Sequence, residues 1–179
     1  HKTIRWVVTV FLMTVAISGV ISLVSDEVMD SSSLPVAFLI LLAIVMVGIV
    51  FDIIGMAVAT ADEKPFHSMA ARKVPGSQEA IRLLRNAERV SSICNDVVGD
   101  ICGVVSGSAS ATIAALILSR VEVGWPRGVS LVMSALVAGL TVGGKAIGKT
   151  FAVNSCTQIV HTVGRVLHAL NGLRGKKKK

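Results

Sequence analysis

From Leu34 to Ala61 the chain carries a single charged side chain, Asp52, in an otherwise apolar run. About 20 residues of helix cross the roughly 30 Å of hydrocarbon in a bilayer. Inside lipid a backbone satisfies its hydrogen bonds only as helix or closed barrel. Three further runs share this character. Trp6 to Val24 is continuously apolar, and Val97 to Ser119 is rich in Gly, Ser and Ala with one acid, Asp100. Val129 to Val142 is shorter, so its helix is expected to continue through Gly143 to Gly148. With 53% hydrophobic and 16% charged residues the chain is too apolar for an ordinary soluble domain. The pattern predicts an all-α polytopic membrane helix bundle with four transmembrane helices. The first run has the basic start of a signal peptide, but its length favours a retained span.

Charge sets the expected orientation. With the N-terminus in the cytoplasm, 16 of the 18 Lys and Arg fall on the inner side, and Arg120 and Arg127 alone fall outside. Asp26, Glu27 and Asp30 fill the first outer loop, expected over Ser25 to Ser33. This positive-inside pattern predicts a multi-pass protein of the cell (plasma or inner) membrane with both termini cytoplasmic. The net charge of +7 then describes a surface facing anionic headgroups. No aromatic stacking residues accompany the basic patches, which argues against nucleic acid as a partner.

Between the second and third spans the residues favour a juxtamembrane helical belt on the cytoplasmic side. His67 to Lys73 fits a short helix, and Pro75-Gly76 breaks it. Ser77 is placed to cap a helix carrying Ile81, Leu84 and Ala87 on one side. Gly99, Gly103, Gly107 and Ala111 recur at four-residue spacing on the third span, a packing face of small residues for a helix of the same chain or of a dimer partner. Trp125, in a tight outer turn, is a candidate interface anchor. From Asn154 to Gly175 the chain reads as an amphipathic helix with Val160, Val163, Leu167 and Leu170 as its apolar stripe. Lys176 to Lys179 either meet anionic headgroups or form a solvated end. Cys94, Cys102 and Cys156 make no CxxC pair and are expected reduced. His67, His161 and His168 show no metal-ligand spacing, and no residue constellation supports an enzyme.

Gly143 to Thr150 matches the phosphate-loop pattern G-x-x-x-x-G-K-[ST] in full. That pattern works at the junction of a buried strand and a helix. Here it follows an apolar span, so no nucleotide is expected. Charged or strongly polar groups at the ends of spans carry more weight, because an ionisable group costs about 2.5–3.5 kcal/mol at bilayer depth and usually has a partner. Asp52, Asn95, Asp96, Asp100 and Lys145 are those groups. Asp96 and Asp100 are either a cation-entry or proton-relay pair, or solvated carboxylates.

Three segments together resemble the transmembrane domain shared by CorC and cyclin M magnesium transporters. Phe51-Asp52-Ile53-Ile54-Gly55-Met56-Ala57-Val58 resembles that family's Phe-Ser-Gly-x-Glu-Thr-Ala-Leu signature. Cys94-Asn95-Asp96-Val97-Val98-Gly99, following Leu83-Leu84-Arg85-Asn86-Ala87-Glu88-Arg89, resembles its Gly-Asn-x-x-x-Asn motif behind the belt. Gly144-Lys145-Ala146-Ile147-Gly148-Lys149-Thr150 stands where the family closes on Gly-Glu-x-x-Pro-Lys-Thr. The resemblance covers roughly residues 36 to 172. It implies a CorC-like domain over 34–172, preceded by an extra span and outer loop over 1–33 and followed by a basic tail over 173–179. No nucleotide-sensing CBS modules are expected, so neither is regulation through them.

The resemblance also implies a homodimer, which small-residue helix faces would join, and a magnesium site. Carried over by position, the ligands would be Asp52, Asn95 and Gly144, with Lys145 in place of the closing glutamate, Gly55 in place of the signature glutamate and Gly148 in place of the proline. An ammonium group repels Mg2+, which wants oxygen ligands. Two functions therefore stand open. One is ion transport, of a magnesium or divalent cation efflux type. The other is a non-transporting structural or interaction protein in which Lys145 fills the cation site and pairs with Asp52. A third placement has Lys145 snorkelling to the cytoplasmic interface.

Overall fold

The computed structural model describes residues 2–30, 33–122 and 124–176, which are helical nearly throughout. Lys177 to Lys179 of the expected basic tail lie outside the described residues. The helices are α1 (Lys2–Asp30), α2 (Leu34–Thr60), α3 (Lys64–Ala71), α4 (Ser77–Arg85), α5 (Ala87–Ser92), a π-helical segment (Ile93–Gly99), α6 (Asp100–Arg120), α7 (Pro126–Asn154) and α8 (Cys156–Lys176). Four stretches are long and apolar enough to cross a membrane: Thr3–Ser25, Leu34–Thr60, Ala87–Arg120 and Pro126–Asn154. α7 runs unbroken through Gly143, Gly144 and Gly148, as expected for glycines in a lipid-spanning helix. The loop expected over Ser25 to Ser33 is corrected, since α1 stays helical through Asp30.

The chain forms two compact units, residues 1–49 with 97–144, and residues 50–96 with 145–179. In the first unit α2 buries Ala37, Leu41, Val45 and Ile49, one residue per helical turn. Val10 and Met13 of α1 pack with Ile44 on a cluster of Val97, Ile101 and Val105. Gly48 lets α2 approach α6 so closely that a β-carbon there would lie 2.9 Å from the Cys102 β-carbon. Buried Ser106 and Ser110 return their hydroxyls to the carbonyls of Gly103 and Gly107, at 2.9 and 2.8 Å, so neither is left unsatisfied in an apolar setting. Of the predicted small-residue face, Gly99 is buried, while among the described residues no atom comes within 4 Å of where a β-carbon of Gly103 or Gly107 would stand. The buried side of α6 is instead Ile101, Val105, Ala109 and Ile113. Larger partners on α1 and α2 fill space that glycines would leave open.

In the second unit Phe66, Ala80, Leu84, Ala57, Val58, Ala152 and Val160 make the core. α3 starts three residues before the expected His67, with Pro65 in its first turn, where a missing N–H costs nothing. It ends in a Schellman arrangement, Val74 N–H donating to Met69 and Lys73 N–H to Ala70, with Lys73 at φ 57 in the position glycine usually takes. Ser77 does not cap α4. Gly76, at φ 85, is the N-cap, and the Ser77 hydroxyl donates back to the Val74 carbonyl at 2.7 Å. The helix expected to carry Ala87 ends at Arg85. The amide of Asn86 donates to the Arg82 carbonyl and closes that turn. α4 lies against α8, backbone to backbone, where Gly76 meets Gly164. Of the stripe predicted on α8, Val160 is buried, Val163 and Leu167 are half-buried, and Leu170 is exposed.

Candidate functional site

Asp52 sits two turns before the end of α2, in the second unit, and is 5% exposed. A carboxylate so placed has lost water and needs a cation or donors. The cation is Lys145 of α7, whose Nζ lies 4.0 Å from Asp52 Oδ1. The lysine side chain keeps 22% exposure, so the ammonium faces both the carboxylate and some solvent. The separation exceeds the usual N–H···O distance, making this an ion pair without a direct hydrogen bond. Asp52 Oδ2 is buried with no hydrogen-bond partner.

Asn95 comes to the same helix by a different route. It lies in the π-helical segment, where the i→i+5 ladder widens the backbone. Its amide nitrogen donates to Ser91 Oγ at 3.2 Å. Its carbonyl oxygen presses onto Gly55, three residues beyond Asp52, where a β-carbon would collide with it. Like Asp52 Oδ2, that oxygen is buried and unpartnered. Asp96, beside it, is exposed and accepts a 2.7 Å hydrogen bond from Ser92 Oγ. Glu88, Ser91, Ser92, Asn95 and Asp96 border an open recess of about 490 Å³. Asp100 opens α6 and is exposed. Gly144 packs against the Ile49 side chain within the first unit.

The structure therefore brings Asp52 and Lys145 together and sets Asn95 on Gly55 of the Asp52 helix. Among the described residues no group of three or more His, Cys, Asp or Glu side chains could hold a metal ion. Asp52 alone, with an ammonium 4.0 Å away, is a poor donor set for a hard divalent cation. The phosphate-loop match, Gly143 to Thr150, is interior α-helix, so its amides are spent on the helix ladder.

Two polar contacts in the belt were not anticipated from sequence. His67 Nε2 lies 3.2 Å from Glu63 Oε2, an i,i+4 pair at the start of α3 whose spacing was readable. His168 Nδ1 lies 3.0 Å from Glu79 Oε1 and ties α8 to α4 across 89 residues. The His168 hydrogen bond holds the Glu79 carboxyl below its ordinary 4.5, helped by its own backbone N–H and the charges of His168 and Arg82, against a smaller opposing effect of burial. His161 Nε2 is buried without a hydrogen-bond partner.

The fold thus defines an all-helical protein with four helices long enough and apolar enough to cross a membrane. Comparison with protein-family models, curated proteins and solved structures gives no match.

Proposed function

We propose that this chain is a multi-pass membrane protein resembling the CorC/cyclin M transmembrane domain, in which the Lys145 ammonium stands in the cation's place and makes it a non-transporting structural or interaction protein. One observation carries the reading, the Lys145 ammonium 4.0 Å from a buried Asp52 carboxylate. A lysine held there offsets the carboxylate's charge and repels a second cation. Both termini cytoplasmic and a homodimer complete the proposal. The open Gly103 and Gly107 are compatible with a dimer and do not argue for one.

A second reading, cation transport of the magnesium efflux type, is favoured by the unpartnered oxygens of Asp52 and Asn95. Oxygen atoms in that state are what a hard cation seeks. The two readings separate in detergent, by following thermal unfolding of the purified protein against magnesium with sodium at matched ionic strength. A ligand of the folded state raises stability as RT ln(1 + [L]/Kd), about 2.7 kcal/mol at a hundred times Kd. The wild type is expected not to respond, and Lys145→Glu is expected to gain stability with magnesium. Lys145→Gln, which keeps the volume without adding a second carboxylate, serves if the glutamate variant does not fold. A magnesium-specific shift in the wild type sinks the lysine-filled reading and restores transport.

A further inference from the structure

α8 carries an apolar face broader and longer than the part the core covers. Val160 and Gly164 are buried, with Val163 and Leu167 half-buried beside them. Val166, Leu170 and Leu173 are 54%, 55% and 68% exposed. At about 100° per residue these three fall within about 60° of one another, about two to four turns beyond core-packed Ile159 on the same side and beside half-buried Val163, with Val160 and Gly164 further round the helix. A stripe of Val and Leu left exposed beside the packed part of the helix needs an apolar surface to cover it.

Position and charge say what that surface is. Ser155 alone separates α8 from α7, a helix long and apolar enough to span a membrane. α8 therefore starts within a residue of the end of a candidate span. From Cys156 onward the sequence holds Arg165, Arg174 and Lys176 to Lys179, and no Asp or Glu. Arg165 is exposed and about 100° from the stripe, where its stem can run along the apolar edge while the guanidinium stays among headgroups. The whole second unit shares this bias, with 14 of the 18 Lys and Arg against six of the 11 acids. Six positive charges and no negative one oppose pairing with the same segment of a second copy. They complement a leaflet of anionic lipid.

We propose that α8 is an interfacial helix whose Val166, Leu170 and Leu173 stripe seats at the headgroup–acyl boundary of an anionic leaflet, favoured by exposed Arg165 and by the positive charge of the sequence from Cys156 onward. Apolar burial and charge then act together, so docking depends on lipid charge as well as on the presence of a bilayer. The helix also carries Glu79 through His168, so lipid charge acts on the α4–α8 pair.

The test places a reporter on the stripe of the full-length protein. Leu170→Trp is introduced with Trp6→Phe and Trp125→Phe, and the protein is reconstituted in phosphatidylcholine vesicles with or without about a third phosphatidylglycerol. Brominated lipids then report the depth of the single tryptophan. The expected result is blue-shifted emission, quenched more by bromine near the ester end of the acyl chain than near its methyl end. Quenching should rise roughly twofold with phosphatidylglycerol and return to the phosphatidylcholine level when Arg165→Gln is combined with K176Q, K177Q, K178Q and K179Q. Water-like emission without bromine quenching overturns the proposal. So does blue-shifted, unquenched emission with cross-linking between copies, which would make the occupant a second chain. Quenching equal in both lipids and indifferent to the charge substitutions removes the anionic requirement and overturns it too. Should the tryptophan variant not fold, wild-type amide exchange over α8 in the two lipids answers the same question, and equal rates refute it.

Discussion

Asp52 and Lys145 offer the sharpest test of whether the membrane site is an ion pair or two unrelated charges. At 4.0 Å two unit charges attract by about 4 kcal/mol at an effective dielectric constant near 20. Desolvation offsets most of that, so the net value of the pair is small while the cost of breaking it is not. The two single substitutions should differ. Asp52→Asn frees a lysine that is already 22% exposed and can turn to water, for a loss of about 1 kcal/mol. Lys145→Met strands a carboxylate whose side chain is 7% exposed and whose Oδ2 has no donor, for about 3 kcal/mol. With no direct hydrogen bond across the gap, the double-mutant coupling should lie near the low end for contacting charges, about 1–2 kcal/mol. Reversible unfolding of the four proteins in mixed detergent micelles measures it. Coupling within about 0.3–0.5 kcal/mol of zero, the additivity expected of independent sites, would refute the pairing. Lys145 would then be an interfacial lysine and the proposed function would lose its support.

Two further substitutions probe the belt. Gly164→Ala puts a methyl group against the Gly76 carbonyl and 3.2 Å from the Ala80 side chain. Backbone cannot yield as a side-chain tip does, so the loss should be roughly 1–3 kcal/mol, partly offset by better helix propensity. Amide exchange should speed up over α4 and stay unchanged over α6, and unchanged exchange in α4 would contradict the packing. Glu79, whose folded pKa lies below 4.5, contributes stability that is fully present above that value and lost as pH falls through the folded one. Melting temperature followed from about pH 6 to about pH 3 should fall with acid more steeply in the wild type than in His168→Gln. The difference should be modest, since the histidine side chain is 56% exposed and exposed pairs are worth about 0.2–1 kcal/mol. Parallel curves would mean the contact does not hold α8 to α4 in solution.

What was legible in the sequence divides along physical lines. Lipid demands long apolar helices, so the four runs announced themselves, and the glycines at 143, 144 and 148 could be read through because a membrane helix tolerates them. The cost of charge at depth singled out Asp52 and Lys145 as groups needing partners, but spacing alone left pairing with each other and a snorkelling Lys145 both open. Local signals failed where the competing partner was distant. Four-residue glycine spacing marked one side of α6 for packing, of which Gly99 is buried, and gave no sign that Val10, Met13 and Ile44 would gather on Val97, Ile101 and Val105. Ser77 read as a cap, yet Gly76 could take the left-handed position and the hydroxyl turned back to Val74. The π-helical segment has no compositional signature, and Asn95 reaches Gly55 through it. Glu79 and His168, 89 residues apart, left no trace in spacing.

On the proposed resemblance to the CorC/cyclin M pattern, the chain's differences from it make more sense together than singly. In that pattern the positions of Asp52, Gly55 and Lys145 are a serine and two glutamates, a charge of −2 that a divalent cation balances. The positions that the proposed resemblance matches here sum to zero, with a carboxylate at Asp52 and an ammonium at Lys145, 4.0 Å away. Gly55 fits the same logic, because with a side chain there the Asn95 carbonyl could not rest on α2. A transporter must let its cation leave, whereas a lysine tethered through α7 cannot. Carried over by that resemblance, the absence of two glutamates and the presence of Asp52 and Lys145 make a charge-balanced polar site, with the Lys145 ammonium 4.0 Å from the buried Asp52 carboxylate. That is the arrangement expected if the fold were kept for what it contacts rather than for what it carries.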